Sequence, residues 1–234
     1  MRRIVILALV AALCASLTAC GSSAPASPKA VRASIVAAAL AQKSVRWTEN
    51  VLVPEMEANR TTADVTTDSG TQRIAYLSRT NKYDDVVQIR LVKHTVYLRG
   101  DAESLVQTLN GDMPITPNLT DAQARKYAGK WISIPQGNAL YAQTANGLTL
   151  AAIVRDVTPH GKLTLAHGTQ LRFVQANGNF QSLWASARGE PLPVGFTVNG
   201  CTGCFVNYRF SKWNKPVNVQ APAHSTPIAT VSAG

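Results

Sequence analysis

From Trp47 onward most of the chain is written in short runs rich in Val, Ile, Thr, Tyr, Phe and Trp, cut by Gly, Asn-Gly or Pro. That texture constrains the fold more than any other feature, because β-branched and aromatic residues in polar alternation suit a pleated, half-buried sheet. Residues 46–79 carry the turn signal Asp68-Ser69-Gly70. Residues 86–100 read as two strands, with Val96 and Leu98 on one face and Thr95, Tyr97 and Arg99 on the other. A second strand block spans 161–213, broken at Gly168, Asn177-Gly178, Gly189 and Asn199-Gly200, and 216–223 reads as a last extended piece.

Helical patterning is confined to four places. Residues 30–45 are Ala-rich, with Val31, Ile35, Ala38, Ala39 and Gln42 near helical spacing. Residues 101–111 open on the N-cap candidate Asp101 and stop at Gly111. Residues 120–129 pair Thr120 with Gln123, a capping-box spacing, and place Gly129 just past the end. Residues 138–157 carry Leu148, Leu150, Ile153 and Val154 before Pro159 and Gly161 end the pattern. One helix, a strand block, short helices and a second strand block predict an α+β fold rather than alternating β-α-β units.

The N-terminus predicts export. Arg2 and Arg3 precede the apolar run 4–19, which is shorter than the roughly 20 residues of a bilayer-spanning helix. The run ends in Leu17-Thr18-Ala19-Cys20, which resembles the bacterial lipobox. In that motif a peptidase cuts before the cysteine after its thiol has taken up a diacylglycerol. The alternatives are an ordinary secretory signal that contains a cysteine, or an uncleaved anchor helix. The expected organisation is a lipoprotein signal peptide at 1–19, lipidation at Cys20, a flexible tether at 20–29, a single domain at 30–221 and a disordered Pro/Ala/Ser/Thr tail at 222–234. Without Arg2 and Arg3 the 23 Lys and Arg become 21 against 13 Asp and Glu, a net of about +8. The bases are scattered rather than clustered, so they point to anionic head groups or an anionic envelope, or only to solubility, and not to nucleic acid.

Catalytic patterns are absent from the sequence. His94, His160 and His167 fall in turn-like contexts and His224 in the tail, with no metal-ligand spacing among them. The acid pairs Asp84-Asp85 and Glu55/Glu57 read as solvated faces or loop ends, and no nucleophile elbow, P-loop or dinucleotide fingerprint occurs. No enzyme activity, cofactor or metal is expected. Cys201 and Cys204 are the two thiols left once Cys14 and Cys20 are assigned to the signal and the lipid. A zinc site needs about four ligands, and a thioredoxin-like pair needs a helix N-terminus, whereas strand-like runs flank this pair. A structural disulfide pinning a hairpin suits the context, with redox chemistry as the alternative.

Many aliphatic side chains sit on the short helices: Leu105, Val106, Leu109, Leu140, Leu148, Leu150, Ile153 and Val154. They read either as ordinary core or as the lining of an apolar cavity between helices and sheet. The stretch Tyr127-Ala128-Gly129-Lys130-Trp131-Ile132-Ser133-Ile134-Pro135 resembles a signature of actinobacterial envelope lipoproteins of the LppX/LprG group. More distantly it is similar to the LolA/LolB lipoprotein carriers. The segment 45–48, the run Pro191-Leu192-Pro193-Val194, and the closing Phe210-Ser211-Lys212-Trp213-Asn214-Lys215-Pro216-Val217 with Ala221-Pro222 agree with it in order. The resemblance implies a strongly curved antiparallel sheet, a half-barrel, with short helices on its concave face over a hydrophobic cavity. It implies a lipid-anchored protein at the outer face of the cell membrane that binds lipids or acylated molecules and carries them across the envelope. The alternative is an envelope sensor or protein-interaction module on the same fold.

Overall fold

The Ala-rich segment folds as helix α1, Pro28–Leu40, in a computed structural model that describes residues 27–52, 59–76, 85–110, 119–167, 171–176, 181–201 and 204–233. Ser27 caps it by accepting from the Ala30 amide at 3.2 Å, Pro28 sits in the first turn where its missing N–H costs nothing, and Val31, Ile35 and Ala39 form its buried stripe. The helix stops at Leu40, short of the expected 45. Val45 already lies fully buried in a strand, where its β-branched side chain packs against the core.

The strands are β1 Ser44–Leu52, β2 Asn59–Thr66, β3 Gly70–Tyr76, β4 Asp85–Val92, β5 Thr95–Arg99 and β6 Ile132–Pro135, then β7 Leu163–His167, β8 Leu171–Ala176, β9 Gln181–Ser186, β10 Pro193–Cys201, β11 Cys204–Ser211 and β12 Thr226–Pro227. Between the two blocks lie α2 Ala102–Asn110, α3 Asp121–Tyr127, α4 Tyr141–Thr144 and α5 Leu150–Asp156, and α6 Ile228–Ala233 closes the chain. The α+β expectation holds. Twelve strands form one sheet in the order β12-β6-β5-β4-β3-β2-β1-β11-β10-β9-β8-β7, not closed among the described residues. Two antiparallel meanders are joined where β11 pairs with β1, and β12 alone runs parallel, beside β6.

Register fixes which side chains share a face. Phe210, Trp47, Ala63, Gln72, Ile89, Leu98 and Ile132 stand opposite one another across seven neighbouring strands. All seven are buried, because the helices cover this face. Two core clusters result. One joins Val87, Ile89, Leu91, Val96, Leu98, Ile132 and Ile134 to Leu105, Leu109, Ala124 and Leu140. The other joins Val45, Trp47, Val65, Leu183 and Phe196 to Ile35 of α1 and Ile153 and Val154 of α5. Each fully buried Leu, Ile or Val contributes about 1.5–3 kcal/mol, so these rows carry much of the stability.

The capping residues read from the sequence are in place. Asp101 accepts from the Ser104 amide at 2.8 Å, and Thr120 and Gln123 form the capping box of α3. Residues 138–157 are not one helix: α4 and α5 are separated by a turn at Gly147, whose φ is +70°, and Thr149 caps α5 afresh. The segment 216–223 is not a strand. Lys212 and Asn214, both with positive φ, turn the chain at the end of β11, and the Asn214 carboxamide accepts from the Lys43 amide at 2.7 Å. Trp213 stacks on Phe210 and donates to the Pro193 carbonyl at 3.2 Å. The chain then crosses the sheet face opposite the helices, where Arg90 donates to the Gln220 carbonyl at 3.1 Å.

The expected disordered tail is corrected. Thr226 donates to the Trp131 carbonyl, β12 extends the edge of β6, and Ile228 and Val231 are buried in the first cluster. A Pro/Ser/Thr-rich composition concealed two aliphatic anchors spaced one helical turn apart, enough to dock a short helix.

Candidate functional site

The aliphatic residues singled out on the helices do not gather in one place. Leu105, Leu109, Leu140 and Leu148 belong to the first core cluster, with Val106 half-buried against it, and Leu150, Ile153 and Val154 belong to the second. A seam separates the two. A side-chain carbon on Gly70 would stand 2.3 Å from the Leu148 carbonyl oxygen, so the loop before α5 rests directly on the floor of the sheet. Beside it, Trp47 donates its indole N–H to the Gly147 carbonyl at 3.2 Å, and its ring would meet a carbon on Gly147 at 3.0 Å. Glycine is required at both positions by close approach, and at Gly147 by φ as well.

On the second-cluster side, the helix-facing surface continues past the helices. Leu183, Phe196, Tyr208, Glu49, Thr61, Ile74 and Val87 form one cross-strand row. The next row contains Val198, Val206 and Val51, all half-exposed. Phe196 and Trp47 lie with ring centres 5.9 and 6.0 Å from Tyr208, in tilted arrangements. An apolar floor therefore runs from fully buried aromatics to a half-open aliphatic margin.

One carboxylate interrupts that floor. Glu49 accepts from the Tyr208 hydroxyl at 2.8 Å. Burial pushes its pKa up against the restraining hydroxyls of Tyr208 and Thr61, and Asp156 on α5 adds to the rise. Burial likewise pushes the Tyr208 phenol well above its ordinary value, helped by the neighbouring Glu49 charge. The pair offers a polar contact at the edge of an apolar surface: an acceptor while Glu49 is ionised, a donor once it is protonated. Sequence reasoning passed over both residues. The signal was present, because Trp47, Glu49 and Val51 share one phase of β1 and a carboxylate on the buried phase of a strand is unusual.

The remaining candidates separate. Cys201 and Cys204 stand directly opposite each other at the tip of the β10–β11 hairpin, after a register shift beyond Asn199. His94 sits in the β4–β5 turn with a φ of +63°, and His94, His160 and His224 are exposed and apart. Among the described residues no group of three or more His, Cys, Asp or Glu is arranged to hold a metal. Cys20, the 1–19 signal, most of the 20–29 tether, Glu55, Glu57 and Asp84 lie outside the described residues. The signature 127–135 is resolved into parts: Tyr127, Ile132 and Ile134 are core, while Trp131 faces away between Arg90 and Arg99.

No protein-family model matches the chain, and no curated protein matches it. Solved structures similar to it include LprF from Mycobacterium bovis, at 13% identity over 84% of this chain and 97% of that one, with a TM-score of 0.47. They also include the lipoprotein LppX of Mycobacterium tuberculosis, at 12% identity over 83% and 100%, with a TM-score of 0.44. An uncharacterized conserved protein from Thermus thermophilus has 8% identity over 85% and 96%, with a TM-score of 0.39. The group suggested by the 127–135 stretch is thus represented among the structures this chain is similar to.

Proposed function

We propose that the chain is a lipoprotein, acylated at Cys20 and held at the outer face of the cell membrane, that binds the acyl chains of a lipid or lipidated molecule. The observation that carries this reading is the apolar floor around Phe196 and Tyr208, which continues past the helix layer as the half-exposed margin Val51, Val198 and Val206. Burying such a surface under an acyl chain contributes about 0.8 kcal/mol per methylene. The Glu49–Tyr208 pair would meet a hydroxyl or amide near the head group. The sheet bends at its two register shifts, in β10, into a half-barrel whose concave side holds the helices. Cys201 and Cys204 form a disulfide that clips the hairpin at its rim. Transfer of the bound molecule across the envelope follows from the same reading. Neither catalysis, nor a cofactor, nor nucleic acid is part of it.

The test is mass spectrometry of the native full-length chain extracted from membranes and then stripped with solvent. The expected result is an N-terminal acylated Cys20 and a co-purifying lipid that is lost in a Val198→Glu/Val206→Glu variant that still folds. A protein that carries no lipid but retains a stoichiometric protein partner would instead identify an interaction module.

A further inference from the structure

The sheet face opposite the helices carries one arginine on each of six adjacent strands. Alternation places Arg99 of β5, Arg90 of β4, Arg73 of β3, Arg60 of β2, Arg46 of β1 and Arg209 of β11 on this side. The carboxylate described among them, Asp64, is bound to Arg46 at 2.6 Å. Among the described residues Arg73, Arg90, Arg99 and Arg209 have no carboxylate within salt-bridge distance. Neighbouring strands lie about 4.8 Å apart, so an array of this kind spreads positive charge over roughly 25 Å.

Two further features accompany the charge. Trp131 lies between Arg90 and Arg99, whose guanidinium carbons stand 4.6 and 5.6 Å from its ring centre. At the opposite corner Leu52 and Phe205 pair across β1 and β11 and are 51% and 42% exposed, two of the three most exposed large apolar residues described. A cleft of about 410 Å³ between Leu52 and Trp184 is lined by Arg60, Arg209, Asn50 and Asn207. The C-terminal segment covers only part of the face, along Arg46, Asp64 and Arg90. By contrast, the helices place Arg125, Lys126 and Arg155 close to Asp121 and Asp156, so their charges are mixed.

We propose that this arginine face docks on the surface of an anionic phospholipid bilayer. The guanidinium groups meet the phosphates bidentately, the tryptophans sit at head-group depth, and Leu52 with Phe205 reaches the acyl boundary. The exposed Leu52 and Phe205 lie together at one corner of the face, where they can dip into the membrane while the arginines stay with the phosphates. The opposite face, with its apolar floor, is then presented away from the membrane or toward its edge. The inference rests on the membrane location proposed above but not on any ligand of the apolar floor.

The experiment footprints arginines with phenylglyoxal, read residue by residue by mass spectrometry. The full-length chain is held in vesicles of phosphatidylcholine, with or without phosphatidylglycerol. Acylated Cys20 or an uncleaved 4–19 run tethers it equally well, and flotation confirms the tether. Phosphatidylglycerol is expected to slow modification of Arg73, Arg99 and Arg209 about fivefold, the scale of one arginine's attraction to an anionic surface. Raising salt from about 0.1 M to about 1 M shortens the screening length from ~10 Å to ~3 Å and should abolish the protection. Arg125 and Arg155 should react equally in both vesicles. An Arg73→Glu/Arg209→Glu variant with an unchanged circular dichroism spectrum should lose the protection at Arg99.

Equal protection in both vesicle types, or protection centred on Arg125 and Arg155, overturns the docking face. So does protection by soluble dextran sulfate without any by vesicles, which would mark the face as a polymer site. Failure to float overturns the membrane location itself and is read separately.

Discussion

The two faces of this one sheet share strands, register and hydrogen bonds, yet they carry opposite chemistry. The helix-facing rows are mostly aliphatic and aromatic, with the Glu49 carboxylate set among them, while the opposite rows carry six arginines over Thr, Asn and Gln neighbours. Alternation along each strand makes this division possible, and burial enforces it: an arginine shifted by one residue would enter the core unpaired. The difference teaches that the buried rows and the proposed membrane-docking surface are separated by about the thickness of one sheet. Substitutions in the buried helix-facing rows should act on folding, and those among the arginines on association with the bilayer.

The largest effect expected on folding comes from the seam. Trp47→Ala removes a ring that is 2% exposed together with its hydrogen bond to Gly147, and should cost about 3–5 kcal/mol in urea unfolding. Gly70→Val drives side-chain atoms into the Leu148 carbonyl and should cost about 1–3 kcal/mol, because backbone rather than a movable side chain is in the way. If Gly70→Val were silent, the two clusters would not be separated by a loop resting on the sheet. Replacing Cys201 and Cys204 together by Ser should lower stability by no more than about 2 kcal/mol, because the loop the pair closes is tiny, and thiol titration of the native chain should find no reactive sulfhydryl at the hairpin.

Glu49 sharpens the comparison through pH. Its folded pKa is raised, so the folded state favours its protonated form; that stabilising contribution is present below its ordinary value of 4.5 and is lost as pH rises through the folded value. Glu49→Gln should therefore raise the melting temperature near neutral pH, with the gain shrinking toward zero below pH 4.5. A constant difference across that range would mean that burial does not shift the group. The smallest effect on stability belongs to the opposite face: Arg73→Glu should change unfolding by no more than about 0.5 kcal/mol. A large loss there would show that the arginines are structural and erase the division between faces.

Much of the fold was legible because it depends on local patterning. Val96 and Leu98 against Thr95, Tyr97 and Arg99 gave the correct faces of β5, Asp101 and the Thr120–Gln123 box gave the starts of α2 and α3, and Asn199-Gly200 sat beside a genuine hairpin. Where the reading failed, long-range contacts outweighed composition. Residues 41–45 had helical texture, but Val45 pairs with Val65 and is claimed by the sheet. Residues 216–223 looked like a strand, but the turn at Lys212 and Asn214 throws them across a face instead of onto an edge.

The site divides in the same way. The sequence by itself determined an α+β chain of antiparallel strands with a helix at the front, the apolar residues from Leu105 to Val154, and the placing of the two cysteines at a hairpin, because each depends on neighbours a few residues apart. The tertiary structure decided that those apolar residues fall into two clusters, that Glu49 and Tyr208 meet although 159 residues separate them, and that six arginines scattered through the sequence line up on one face. Strand order is the physical reason: β1 joins the first meander to β11 of the second, a pairing that no local pattern encodes, and every cross-strand neighbour on either face follows from it.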